Sequence, residues 1–193
     1  MTMVDGSRKA EVGLTKAELV AALRRSGEHA VRALRALPDG AFDEGRYENG
    51  WNGRQILAHV ASIEWTYPRL LDVARQGAPE AAAPVAGVRR TTPEETPDLP
   101  TRTASGGIDA YNDRQVQKRV DASVSDLIDE FEKKRAATVA AVEAADVGLF
   151  ARPIRSAGGI TGVLADVLNA VAVQHVAAHV ADIAGAKHDG QRW

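Results

Sequence analysis

Through most of this 193-residue chain, apolar residues recur at steps of three and four, the period of an amphipathic helix. Leu19, Leu23, Ala30, Leu34 and Leu37 form the first stripe. "LTKAEL" opens it: Thr15 caps, Glu18 returns the hydrogen bond and Leu14 staples onto Leu19. "LPDG" sets the stop near Leu37. A second helix starts in "ENGWNGRQ", where Asn52 and Gln55 repeat the capping pattern, and Ile56, His59, Val60, Ile63, Tyr67 and Leu70 share a face. Pro68 offers no N–H to the Glu64 carbonyl, so it predicts a kink or an early end. A third helix restarts at Ile108 in "IDAYNDRQVQKR" and breaks between Asp121 and Ser125. Ser123 with Asp126 caps its continuation to about Ala145, with Leu127, Phe131, Val139 and Val142 inward. "GLFARPIRSAGGITG" reads as a connection, and a last helix runs from about Gly162 to Ala186.

Between the second and third helices the character changes. Residues 77–107 hold five of the eight prolines and no helical period. A stretch of that length inside a compact protein is usually functional or disordered, and it reads here as a crossover or lid. Residues 1–13 and 187–193 read as loose tails. No stretch alternates like a strand for long, and no repeat appears at solenoid periods. The expectation is a single domain over residues 1–193, all-α, a four-helix bundle with a long crossover loop between helices 2 and 3.

Composition narrows the function. A net charge of −2 with interspersed signs gives no basic footprint, so neither nucleic acid nor an anionic membrane surface is an expected partner. The chain has no cysteine, which excludes disulfides, thiolate zinc sites and a cysteine nucleophile. The polar N-terminal stretch lacks a signal-peptide core, and no apolar run is read as reaching the roughly 20 residues of a membrane span. A cytoplasmic protein is expected.

Histidine supplies the candidate chemistry. His175 and His179 lie four residues apart in "QHVAAHVADI". Leu164, Leu168, Val171, His175, His179 and Asp182 follow steps of three and four and so are expected on one face. Residues four apart rise by roughly 6 Å, and bundle axes pack roughly 8–10 Å apart. His59, on the apolar face of the second helix, is therefore within reach of the same point. Three readings fit the spacing: a metal site, a core pair satisfied by hydrogen bonds, or two solvated rings. Three neutral imidazoles leave positions open on an ion, the arrangement of a catalytic centre. Asp182 is one turn beyond His179 and placed to orient it. Val176 stands where the H-E-x-x-H proteases carry their Glu, so their base is missing. His29 reads as a surface or half-buried residue and His188 as solvated.

"GWNGRQILAHVASIEW" is similar to the W-(S/T)-x-(R/K)-(D/E)-(L/I/V)-L-A-H motif of DinB/YfiT-like proteins, and "GGITGVLADVLNAVAVQHVAAHVADI" resembles their closing helix. "LTKAELVAALRRSGEHAVRAL" and "YNDRQVQKR" fit the same family, particularly the branch with the mycothiol-dependent maleylpyruvate isomerase. The resemblance implies a DinB-type bundle and a divalent metal, zinc or nickel, held by His59, His175 and His179. The isomerase branch typically has Glu where this chain has His175. Family activities imply a low-molecular-weight thiol cosubstrate, mycothiol among them. The expected function is a metal-dependent thiol S-transferase acting on a small electrophile, with a homodimer possible. The alternatives are a metal-dependent hydrolase using metal-bound water and a non-catalytic small-molecule-binding or resistance protein. Trp51, Asn112 and Arg119 are candidate substrate or thiol contacts, each with a plain structural reading beside it. For the hydrolase, Glu64 and Asp182 are the nearby acids, with Glu64 expected off the inward face.

Overall fold

A computed structural model describes residues 13–45, 50–77 and 87–185. Most of the expectation about the tails, and His188, fall outside them. Helix α1 spans Lys16–Ala36 and α2 spans Gly53–Ile63. Helix α3 is Pro68–Gln76, α4 is Ile108–Gln117 and α5 is Val124–Ala144. The last helical run joins α6 (Leu164–Leu168) to α7 (His175–Ile183) through a π-helical segment, Asn169–Gln174. Around the bundle, α1 packs on α5, α5 on α2, α2 on α7 and α7 back on α1. The protein is thus a mostly helical four-helix bundle, with the short α4 laid against α2.

Local chemistry starts these helices where the sequence places them. Thr15 with Glu18, Asn52 with Gln55 and Ser123 with Asp126 each close a complete capping box. Each box satisfies two N–H groups that a helix start leaves unpaired. The second helix ends early. Glu64–Thr66 tightens into a 3₁₀ turn, and Pro68 opens α3 at a position where its missing N–H costs nothing. The Glu64 carbonyl instead accepts from the Tyr67 N–H at 3.3 Å and from the Thr138 hydroxyl at 3.3 Å.

Two expectations fail. The chain also contains a small sheet, ordered β1–β3–β2 and antiparallel throughout. Strand β1 is Arg89–Arg90, inside the supposed lid; β2 is Pro153–Arg155 and β3 is Ile160–Val163, inside the supposed connection. Strands of two to four residues are too short to display alternation. Gly159 makes the β2–β3 turn possible: its φ is +85°, and a Cβ there would lie 2.9 Å from the Thr91 carbonyl oxygen. The second failure concerns membrane-length runs. Leu164–Ile183 is 20 residues with a mean hydropathy of 1.2, long and apolar enough to span a membrane by composition. In the fold its Leu164, Leu168, Ala172, Val176, Val180 and Ile183 are buried in the protein core.

Buried apolar side chains form two clusters. One holds Leu19, Leu23, Tyr67, Val139 and Ala172; the other holds Ala30, Leu34, Val60, Phe131 and Val176. Along α5 a buried polar group lies between them. Arg135 sits between Phe131 and Val139, and it grips Glu64 through Nε–Oε1 at 2.7 Å and Nη2–Oε2 at 2.9 Å. Its remaining donors reach the Leu23 carbonyl, the Ser26 hydroxyl and the Ala172 carbonyl at 3.2, 2.8 and 2.6 Å. Gly27 lets α1 approach this side chain, since a Cβ there would lie 2.8 Å from Arg135 Cγ. Gly27→Ala should therefore destabilise the protein by about 1–3 kcal/mol through overpacking, despite alanine's better helix propensity. Thermal melting checks this; an unchanged or higher midpoint would show that α1 shifts freely.

Candidate metal centre

His59, 4% exposed, enters the site from α2, a helix whose residues are nearly all buried. His175 and His179 enter from α7, directly after the π segment. A π turn carries one residue more than an α turn, and it splits the single face that the spacing predicts. Leu164 and Leu168 go to the core, which continues through Ala172, Val176, Val180 and Ile183. Val171 and His175 instead line a cavity. The His175 N–H bonds the Ala170 carbonyl, five residues back, and the Ala172 carbonyl inside the segment is the one Arg135 holds. Arg135 thereby ties the histidine-bearing run to α1, α5 and the Glu64 turn.

The three rings meet. Centroids lie 4.4 Å apart for His175 and His179, 5.2 Å for His59 and His179, and 5.7 Å for His59 and His175. One ring nitrogen from each falls within 4.8 Å of the others. Nε2 of His175 and Nε2 of His179 face each other at 2.5 Å. His59 Nδ1 is buried with no hydrogen-bond partner among the described residues. Three converging imidazoles, one with a ring nitrogen left without a partner among the described residues, suit a cation better than a packed core pair, in which each polar atom finds a mate. Asp182 Oδ2 is 3.3 Å from His179 Nδ1 and orients that ring from its far side. Trp51 stacks at a tilt on His59, centroids 5.4 Å apart, and packs on the second apolar cluster.

Burial and mutual repulsion keep two of the three rings neutral. Burial lowers the His59 pKa well below its ordinary value, with His179 and His175 adding to the effect. His175 is pushed down to about 3, by burial first, then His179 and Arg90, with Asp182 opposing. A neutral imidazole is the form that binds a metal. The same shifts fix a pH dependence in the metal-free protein. Below about pH 6.5 the unfolded chain protonates these histidines while the fold does not. The unfolded state then binds more protons, so stability is full above that pH and falls as the pH drops. The slope approaches about 1.4 kcal/mol per pH unit for each residue. Urea melts of chelator-treated protein between pH 7.5 and 5.5, compared with His59→Ala, read this slope. Identical profiles for the two proteins would remove it.

Next to the cluster lies a cavity of about 350 Å³ to which His59 and His175 both contribute. Its walls come from the α2–α3 turn, the loop before α4, α4 itself and the β2–β3 turn. Asn112 lines it, with Oδ1 buried and without a hydrogen-bond partner among the described residues. Arg119 does not. Its guanidinium is clamped to Glu130 at 2.9 and 2.6 Å and to the Gln115 carbonyl at 3.0 Å, bracing α4 against α5. Glu64 corrects the other acid: it faces inward, fully buried, but Arg135 holds both oxygens. Burial raises its carboxyl pKa, and the Arg135 charge acts against that. Periodicity alone misses Tyr67 and Tyr111 as cavity residues, and also Arg90 and Arg102. Tyr67 reads as core, and the two arginines sit in a loop without a period. Tyr111 stands beside Asn112 at the start of α4, which is the one signal in the sequence.

No curated protein matches this chain. Among solved structures, the crystal structure of a mycothiol-dependent maleylpyruvate isomerase is similar, with a TM-score of 0.61 and 18% identity. The match covers 88% of this chain and 61% of the isomerase, so the chain spans about three fifths of that protein's length. YfiT from Bacillus subtilis, described as a probable metal-dependent hydrolase with an unusual four-helix bundle topology, matches with a TM-score of 0.55 and 15% identity. That match covers 96% of this chain and 90% of YfiT. The family model of the DinB superfamily matches residues 22–183, and the chain belongs to that superfamily.

Proposed function

We propose that the protein is a metal-dependent enzyme that joins a low-molecular-weight thiol, of the mycothiol type, to a small electrophile. The observation that carries this reading is the meeting of His59, His175 and His179 beside a cavity to which two of them contribute. A divalent ion held there, zinc or nickel, would favour the thiolate form of a bound thiol, its reactive form. With no cysteine in the chain, the sulfur arrives with the cosubstrate. Among the residues, His59 and His175 remain neutral and able to bind, and Asp182 fixes the orientation of His179. The cavity brings the electrophile beside the cluster and shields it from water. A hydrolase would need a carboxylate free to activate water; Glu64 is held by Arg135, and Asp182 faces His179. The kinship with a mycothiol-dependent isomerase favours the thiol reading further.

The test is metal content by elemental analysis on tag-free protein, beside His59→Ala and His175→Ala. About one divalent ion per chain, lost in both variants, is the expected result. Thiol transfer from mycothiol to model electrophiles, followed by loss of free thiol, then tests the reaction. A folded wild-type protein that takes up no ion would end the metal reading.

A further inference from the structure

Of the three histidines, His59 is the fully buried one, and no hydrogen bond reaches either of its ring nitrogens among the described residues. A metal-binding imidazole is ordinarily oriented by a mate on its outer nitrogen, as Asp182 orients His179 at 3.3 Å. His59 has no such mate, and the last torsion of a histidine side chain is too broad to hold the ring by itself. Ring contacts must hold it instead. His179 meets it edge-on with centroids 5.2 Å apart, His175 lies at 5.7 Å, and Trp51 lies at 5.4 Å with a tilt of 49°. The two histidines bring nitrogens to the same point as His59. Trp51 is the contacting ring without a ligand atom, since an indole N–H only donates. Nor is it among the described residues lining the cavity to which His59 contributes.

The backbone that carries this indole is firmly anchored. Trp51 precedes Asn52, the N-cap of α2, whose capping box with Gln55 is complete. Asn52 forms a β-bridge with Gly45, and the Gly53 N–H donates to the Glu44 carbonyl at 3.1 Å. Gly53 permits the close entry: a Cβ there would lie 2.7 Å from the Ala41 carbonyl oxygen and 2.9 Å from Phe42 Cα. The indole packs on the second apolar cluster. Its face is also the aromatic surface that attracts positive charge most strongly, and an imidazole that binds a divalent ion takes on part of the ion's charge.

We propose that Trp51 is a positioning residue of the metal centre: its indole fixes the orientation of the His59 ring where a hydrogen bond is lacking, and it stabilises the charge that the ring acquires with the ion. This rests on the metal reading above. Trp51 then acts through His59, on metal affinity and coordination geometry.

Cobalt(II) is the probe, because its partly filled d shell absorbs visible light and quenches a nearby indole, which zinc does not. The chain has three tryptophans, so Trp65→Phe with Trp193→Phe leaves Trp51 as the only indole. Cobalt should quench most of its fluorescence saturably, and zinc should restore it. Trp51→Leu should weaken cobalt binding about tenfold or more and shift the visible absorption of the bound ion. Trp51→Phe keeps a ring and should stay within about threefold of wild type. Both affinities are read against a competing chelator, well below each melting midpoint. A residue that only packs would lower the midpoint in Trp51→Leu and leave affinity and spectrum unchanged; that result overturns the proposal. So does bound cobalt that leaves Trp51 unquenched, a measurement that keeps the indole and holds even where Trp51→Leu does not fold. Wild-type protein that binds no cobalt or zinc ends the metal reading and this assignment together, whereas either of the other two results ends the assignment alone.

Discussion

Arg135→Met will cost the protein about 3–5 kcal/mol, the range for breaking one partner of a buried ion pair. At this chain length that lowers the melting midpoint by about 6–20 °C. The size follows from what the substitution leaves behind. Glu64 is fully buried and loses a two-pronged partner, so its carboxylate must either stay charged in the core or take up a proton. The Leu23 and Ala172 carbonyls lose a donor in the same step. Glu64→Leu combined with Arg135→Met should cost less than Arg135→Met alone, because apolar side chains of similar size can replace a buried pair. The double variant still deprives the Ala172 carbonyl, inside the π segment that precedes His175, of its partner. It should therefore recover stability better than it recovers metal uptake. Thermal melts and metal content of the single and double variants decide this. A loss under about 1 kcal/mol in Arg135→Met would mean that the pair is dispensable, and equal recovery of both properties would separate it from the histidines.

How far the fold is legible in the sequence depends on the range of the interaction. Thr15 with Glu18, Asn52 with Gln55 and Ser123 with Asp126 act over three residues, so each helix start is written locally. Pro68 announces the end of α2 because its chemistry is its own. The β2–β3 hairpin is different. Its β3 pairs on one edge with β2 and on the other with Arg89 and Arg90, roughly 70 residues upstream, and Arg155 donates to the Thr91 carbonyl at 3.2 and 2.9 Å. None of that is periodic. The π segment is also invisible, since "NAVAVQ" suits an α-helix and only packing selects the wider turn. His59, His175 and His179 stand out as candidates because polar rings on apolar faces are conspicuous. The inward turn of Glu64 is not, because its burial depends on Arg135, 71 residues away. Tyr67 and Tyr111 stay hidden for the converse reason: tyrosine is at home in a core, and what sets them apart is a buried hydroxyl with no hydrogen-bond partner among the described residues.

Saturating divalent ion will raise the stability of the wild-type protein, by about 4 kcal/mol at a free concentration 1,000 times the dissociation constant. The melting midpoint should then rise by about 8–16 °C. In His175→Ala the shift should vanish, while the metal-free midpoint moves far less than in Arg135→Met. The contrast arises because His175 contributes a ligand atom more than packing: its Nε2 points at the equivalent atom of His179, at 2.5 Å, rather than into the apolar core. The pH dependence of the shift carries a sharper expectation. Ordinary imidazoles lose metal affinity about tenfold per pH unit for each ligand once the pH drops below about 6.5, because protons compete. In this fold His59 and His175 are neutral well below that pH, having been stripped of their protons by burial and by the neighbouring rings. The ion displaces no proton from either of them, so their two tenfold penalties per unit should be absent between pH 7 and 5.5. Melting midpoints with and without zinc across that range, at fixed free ion, measure it. A zinc-induced shift that collapses steeply below pH 6.5 would mean that both rings titrate as they do in water, and that the site is opened to solvent when the ion leaves.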